Sequence, residues 1–212
     1  MNNFLKNKKI LLIVTGGIAS YKALDLIRRL QDEKAVVECI LTESAKEFIN
    51  VITFESLLGK KVHSNLFSLT QEKEMSHIKL ANEIDVILVI PCTANFLAKM
   101  ANGIADDLAS NIILASDKIK VIAPAMNSKM WANDAVKNNL KTLSKMNIKL
   151  FSPKKGRLAC GTRGAGKLME VNNIMQKLVE LFTPNDLNGY KIIVTAGASV
   201  EKIDPVRYIS NF

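Results

Sequence analysis

Three short segments of this chain place glycine, hydroxyl and amide groups where apolar runs end. The first, TGGIASYK (residues 15–22), sets adjacent glycines between an apolar run and a helical pattern. Glycines there let the backbone approach a ligand, and a helix N-terminus offers N–H groups to an anion, so phosphate binding is one reading. A tight turn that packs helix on sheet is the other, because the spacing is neither GxGxxG nor a Walker A loop. The second segment is PCTAN (residues 91–95) and the third is PAMN (residues 124–127), followed by Met130 and Trp131. Each alone also reads as a proline-terminated strand with a helix cap. Together they have the pattern of a ligand crevice at a topological switch point.

Proton transfer needs a different set of groups. His77, in KEMSHIKLAN, carries the side chain best suited to proton transfer near neutrality, or else starts a helix and hydrogen-bonds a loop. His63, in the polar GKKVHSN, reads as solvent-exposed. Of the three cysteines, Cys39 reads as a small core residue, and Cys92 either adjoins the crevice or fills space beside it. Cys160 lies in LACGTRGAG, too rich in glycine and charge to bury a thiol, and is a candidate acid or nucleophile on a moving loop. Three scattered cysteines make neither a disulfide framework nor a CxxC site, and the two histidines lack zinc-helix spacing, so no metal is expected.

Strand-length apolar runs alternate with helical periodicity and must position these groups. Strands are predicted over residues 10–15, 36–41, 85–90, 120–123 and 148–151, and helices over 19–31, 94–100, 107–115, 134–146 and 171–182. Strands that are apolar throughout are what a parallel sheet covered on both faces requires. The expectation is therefore an α/β doubly wound parallel sheet of the Rossmann or flavodoxin-like kind, in three α/β/α layers. Residues 152–167 break the pattern and read as a mobile loop, residues 183–189 as a linker, and residues 190–195 as a new strand.

Composition narrows the function classes. The 212 residues are 48% hydrophobic and 23% charged, which excludes a disordered chain. No apolar run approaches the ~20 residues needed to cross a bilayer, and the N-terminal apolar stretch, residues 10–14, is too short for a signal peptide, so no membrane association and a cytoplasmic location are expected. The 29 Lys and Arg against 20 Asp and Glu leave a net charge of +9. Its lysines are dispersed and no nucleic-acid motif appears, so phosphorylated small molecules are preferred over nucleic acid as partners.

TGGIASYK, His77, PCTAN, NGIADDLASN, PAMNSKMW and GRLACGTRGAGKLME together resemble the flavin-containing cysteine decarboxylases, over about residues 9–182. The resemblance is greatest to the decarboxylase half of the bacterial bifunctional phosphopantothenoylcysteine decarboxylase/phosphopantothenate–cysteine ligases of coenzyme A synthesis. PAMNxxMW combined with LACGxxGxG is its specific part, and Cys92 departs from it by replacing a small residue. The resemblance implies an FMN-binding cysteine decarboxylase domain over residues 1–182, a linker over 183–189 and a truncated start of a ligase domain over 190–212, without ligase activity. It implies FMN-dependent conversion of 4'-phosphopantothenoyl-L-cysteine to 4'-phosphopantetheine by thiol oxidation, decarboxylation to an enethiolate and re-reduction. Gly16, Gly17, Ser20, Thr42, Thr93, Ala94, Asn95 and Met126 would hold FMN. His77 would orient or deprotonate the substrate, Asn127 would bind its carboxylate and amide, and Cys160 would be the proton donor of the reductive half. Arg163 and Lys167 would be lid cations. A homotrimer or dodecamer is implied, because the family builds FMN sites between subunits. A non-catalytic flavin-binding regulatory subunit and a peptide C-terminal cysteine decarboxylase are the alternatives.

Overall fold

The computed structural model describes residues 3–63, 80–159, 161–184, 186–195, 197 and 200–210. Five parallel strands form its sheet: β1 (Lys9–Val14), β2 (Val36–Leu41), β3 (Val86–Cys92), β4 (Ile119–Pro124) and β5 (Lys149–Leu150), in the order β2-β1-β3-β4-β5. Along β1 the side chains alternate between two separate cores. Ile10, Leu12 and Val14 face Leu26, Phe54 and Ile174, whereas Leu11 and Ile13 face Phe96, Leu97 and Leu143. Both sets are buried, which is why the strand reads as an unbroken apolar run.

The first core is covered by α1 (Tyr21–Asp32), α2 (Glu43–Lys46) and α3 (Val51–Leu58), together with the later helix α8 (Val171–Phe182). The second is covered by α4 (Ala94–Asn102), α5 (Leu108–Ala115) and α7 (Asp134–Lys145); a short α6 (Ser128–Ala132) precedes α7. Helices on both faces of a parallel sheet make the expected three-layer, doubly wound α/β/α fold. The chain winds outward from β1 to β2, then returns to β3 on the other side of β1. The carboxyl ends of β1 and β3 therefore lie side by side at the reversal, with Ile13 in register with Val89.

Two expected features are corrected. Residues 152–167, predicted as a mobile loop, contain an antiparallel hairpin of β6 (Lys154–Arg157) and β7 (Arg163–Lys167). Two of its glycines, Gly164 and Gly166, serve close docking rather than disorder. A Cβ on Gly164 would lie 2.7 Å from Ser128 Cβ, and one on Gly166 would collide with the Met126 carbonyl. Gly166 also has a φ of 118°, and its carbonyl accepts from the Met126 N–H at 3.0 Å. The second correction concerns residues 190–195, which form no strand. Ile193 and Val194 lie in solvent, because no described strand pairs with them. Further on, β8 (Val200–Lys202) and β9 (Tyr208–Ser210) pair with each other in an antiparallel hairpin.

Gly166→Ala adds a methyl that has no space and strains a left-handed backbone, a cost of about 1–3 kcal/mol. The expected outcome is a lowered thermal midpoint and faster proteolysis within residues 154–167. Unchanged proteolysis there would show that the hairpin is not held by this contact.

Candidate functional site

The carboxyl ends of β1 and β3 are joined by one buried side chain. Thr15 Oγ1 donates to the Pro91 carbonyl at 2.6 Å and accepts from the Thr93 N–H at 3.1 Å. Thr93 in turn caps α4, its Oγ1 accepting from the Phe96 N–H at 3.3 Å. The next strand is tied in as the Ala125 N–H donates to the Cys92 carbonyl at 3.1 Å. Beyond β2, the Thr42 N–H donates to the Val14 carbonyl at 3.1 Å while its hydroxyl caps α2. The short polar residues thus close strand ends and start helices in the same stroke.

Gly16 and Gly17 differ in what they permit. A Cβ on Gly16 would lie 2.5 Å from the Ser44 carbonyl oxygen, so glycine is required there for the turn to pack. One on Gly17 would approach only Thr93 Cγ2, at 4.0 Å, leaving that face open to a ligand. Ser20 is buried, and its hydroxyl donates to the Gly17 carbonyl at 2.6 Å, with the Thr15 carbonyl at 3.1 Å. It braces the turn that leads into α1.

A cleft of about 550 Å³ opens between this turn and the hairpin. Its floor includes Gly17, Pro91 and Ala125, with Met126 and Asn127 at one side and Leu158 and Ala159 of the hairpin segment over it. Asn127 caps α6 through Oδ1, which accepts from the Lys129 N–H at 2.8 Å. Of the residues singled out from sequence, Gly17, Met126 and Asn127 line the cleft. Gly16, Ser20, Thr42, Thr93, Ala94 and Asn95 stand at the strand ends and helix starts behind or beside it. His77 and Cys160 lie outside the described residues. Lys167 lines the cleft, whereas Arg163, on the same strand, does not.

Cys92 and Cys39 are fully buried, and burial pushes both thiols up, so neither is a nucleophile at neutral pH. His63 is half-buried rather than exposed, its Nε2 lying 3.3 Å from Glu38 Oε2. Among the described residues, no three His, Cys, Asp or Glu groups are placed to hold a metal ion, and no helix is long and apolar enough to cross a membrane.

Beyond Lys167, the cleft's charges are not legible in the sequence. Lys22, in the first turn of α1, lines the cleft and pairs with Glu170 Oε2 at 3.0 Å; Lys167 reaches Glu170 Oε1 at 2.9 Å. These hydrogen bonds, first from Lys167 and then from Lys22, hold the Glu170 carboxyl at a pKa of about 2. Lysine beside Gly-rich turns was the available signal, but a partner 148 residues away is invisible to spacing.

Residues 2–183 match the family described as Flavoprotein, and residues 187–212 match the DNA/pantothenate metabolism flavoprotein C-terminal domain. The chain belongs to the flavoprotein family. This flavoprotein is 41% identical over 207 residues to the coenzyme A biosynthesis bifunctional protein CoaBC of Vibrio vulnificus, covering 98% of this chain and 52% of that one. It is 40% identical over 208 residues to the corresponding protein of Escherichia coli, covering 98% and 51%. The chain thus spans about half the length of the curated relatives it matches. Among solved structures, a PPC decarboxylase cysteine-to-serine mutant complexed with pantothenoylaminoethenethiol superposes with a TM-score of 0.72 at 31% identity, covering 84% of this chain and 98% of that one. The FMN binding protein AtHal3 superposes with a TM-score of 0.70 at 31% identity, covering 84% and 97%.

Two outcomes are expected from this geometry. Thr15→Val keeps the shape but orphans the buried Pro91 carbonyl and the half-buried Thr93 N–H, a loss of about 1–3 kcal/mol that calorimetric or chemical unfolding will register. An unchanged unfolding midpoint would contradict the bridging role. Glu170 moves from 4.5 to about 2 on folding, so its contribution is complete above pH 4.5 and fades as pH falls toward 2. Glu170→Gln should therefore destabilise the flavoprotein at pH 6 and much less at pH 3 in urea unfolding. Because the side chain is 43% exposed, screening keeps the difference below about 1 kcal/mol; a difference independent of pH would contradict the pairing.

Proposed function

We propose that this flavoprotein uses FMN to decarboxylate 4'-phosphopantothenoyl-L-cysteine to 4'-phosphopantetheine in coenzyme A synthesis. The observation that carries the reading is the likeness, over 84% of this chain and 98% of the other, to a PPC decarboxylase solved with pantothenoylaminoethenethiol. That ligand is an enethiol, the kind of compound left when an oxidised cysteinyl amide has lost carbon dioxide and has not yet been reduced.

The residues present fit a flavin. Gly17 leaves backbone open toward the cleft, Pro91, Ala125 and Met126 offer an apolar wall for a flat ring, and the glycine turn runs into the N-terminus of α1, suited to a phosphate. Gly16, Ser20, Thr42, Thr93, Ala94 and Asn95 would shape that site. Bound flavin supplies the reversible oxidation of the cysteine CH2–SH to a thioaldehyde, which gives the electrons of the breaking C–C bond a C=S group to enter.

The protein's own groups do the rest. Asn127, on the cleft wall, would bind the substrate carboxylate and amide so that the C–C bond to be broken is fixed. His77 would orient the substrate or take its thiol proton. Cys160, in the segment between β6 and β7, would deliver the proton that completes reduction of the enethiolate. Leu158 and Ala159 over the cleft would keep water from that carbanion-like species.

Residues 1–182 are proposed as the decarboxylase domain, 183–189 as a linker and 190–212 as the opening of the ligase domain, a division that the matches over 2–183 and 187–212 support. The second of these matches favours the coenzyme A pathway over decarboxylation of a peptide's terminal cysteine. A homotrimer or dodecamer in the cytoplasm is part of the proposal; Ile18 and Tyr21, exposed at the rim of the cleft, are apolar surface for a neighbouring subunit.

Cys160→Ser is expected to release carbon dioxide but to accumulate the enethiol, read by mass spectrometry of the products. Normal yields of 4'-phosphopantetheine would remove Cys160 from the reductive step. His77→Asn is expected to retain flavin absorbance and release no carbon dioxide, and full turnover would return His77 to a structural role.

A further inference from the structure

The charged residues lining the cleft, among those described, are Lys22, Arg157 and Lys167, and no carboxylate is part of that lining. They come from three elements: the first turn of α1, the end of β6 and the end of β7. Like charges gathered around one cavity repel one another, and the one carboxylate that pairs with two of them, Glu170, leaves an excess of positive charge that ion pairing alone does not explain. Lys22 is the most telling of the three. Its side chain is 14% exposed, so most of it packs against the protein while it lines the cleft.

Glu170 stands behind the two lysines, one carboxylate oxygen to each. It neutralises a single charge and fixes the ends of two long side chains that would otherwise be free to rotate. Each ammonium has three donors, and one contact to Glu170 leaves capacity for a ligand in the cleft. With Arg157 included, three cations against one carboxylate leave a local charge of +2. A phosphate monoester, at roughly −1.5 to −2 near pH 7, matches that charge and offers three acceptor oxygens.

We propose that Lys22, Lys167 and Arg157 form a phosphate-monoester subsite in this cleft, with Glu170 as the positioning residue that aims the two ammonium groups. Two such monoesters follow from the functional reading on which this rests: the terminal phosphate of the acyl-cysteine substrate and the 5'-phosphate of the flavin. Paired ligands separate them.

The FMN-loaded chain is titrated with 4'-phosphopantetheine and with pantetheine, and flavin-free chain is titrated with FMN and with riboflavin by fluorescence quenching. If the subsite takes the substrate phosphate, Lys22→Gln and Lys167→Gln each weaken 4'-phosphopantetheine by about 10- to 100-fold and leave pantetheine and FMN nearly unchanged. If it takes the flavin phosphate, the same variants weaken FMN relative to riboflavin by a similar factor. Glu170→Gln should reduce the same phosphate preference and Glu170→Asp should restore part of it, whereas a purely structural ion pair would affect phosphorylated and unphosphorylated ligands alike. Arg157→Gln, on an exposed strand end, carries the same test if a lysine variant fails to fold. Unchanged preference for both phosphorylated ligands in the folded variants would overturn the proposal. Wild-type protein that does not decarboxylate but still loses its FMN preference in Lys22→Gln would remove the functional reading and leave the subsite standing.

Discussion

The Thr15 hydroxyl is the polar atom on which the site depends. In a sheet buried on both faces, every other side chain of β1 after Lys9 is apolar, and ligand groups can gather only where the strands end. At the reversal between β1 and β3, that single hydroxyl satisfies the Pro91 carbonyl and the Thr93 N–H together. It thereby sets the spacing between the glycine turn before α1 and the start of α4. A displacement of either would change the floor against which a flat cofactor must lie.

The second constraint is the docking of β7 on the segment between β4 and α6. The strand approaches closely there because Gly166, against the Met126 backbone, and Gly164, against the Ser128 side chain, have no side chain to hold them apart. That contact brings Leu158, Ala159 and Lys167 over a cleft whose other wall belongs to the strand ends. Covering of the site and its electrostatics are thus coupled: the strand that docks through Gly166 also delivers Lys167 to Glu170 and so to Lys22. A carboxylate held at a pKa of about 2 stays charged through the physiological range, which keeps both ammonium groups in place.

The layered fold was legible because burial on two faces leaves a direct mark on composition, as in Ile10 to Val14. The three strand-end segments were legible for a related reason, since short polar residues and glycine are what close a strand and open a helix. Residues 152–167 misled because glycines that permit backbone docking look the same in sequence as glycines that permit disorder. The apolar pattern of residues 190–195 misled in the opposite sense: a strand needs a partner, and none is described beside it. Ser20, an FMN contact by resemblance, also hydrogen-bonds within its own turn, and Lys22, which had no role assigned from sequence, lines the cleft. Glu170 carried no signal at all, because its meaning comes from residues brought to it only by folding.

The central claim is that a flavin held at this switch point turns a redox-neutral decarboxylation. The most direct measurement supplies flavin-loaded protein with 4'-phosphopantothenoyl-L-cysteine and follows carbon dioxide and organic product together, without added oxidant or reductant. The account predicts equimolar carbon dioxide and 4'-phosphopantetheine over many turnovers, and none without flavin. Turnover that is independent of flavin, or a loaded protein that releases no carbon dioxide, would contradict it.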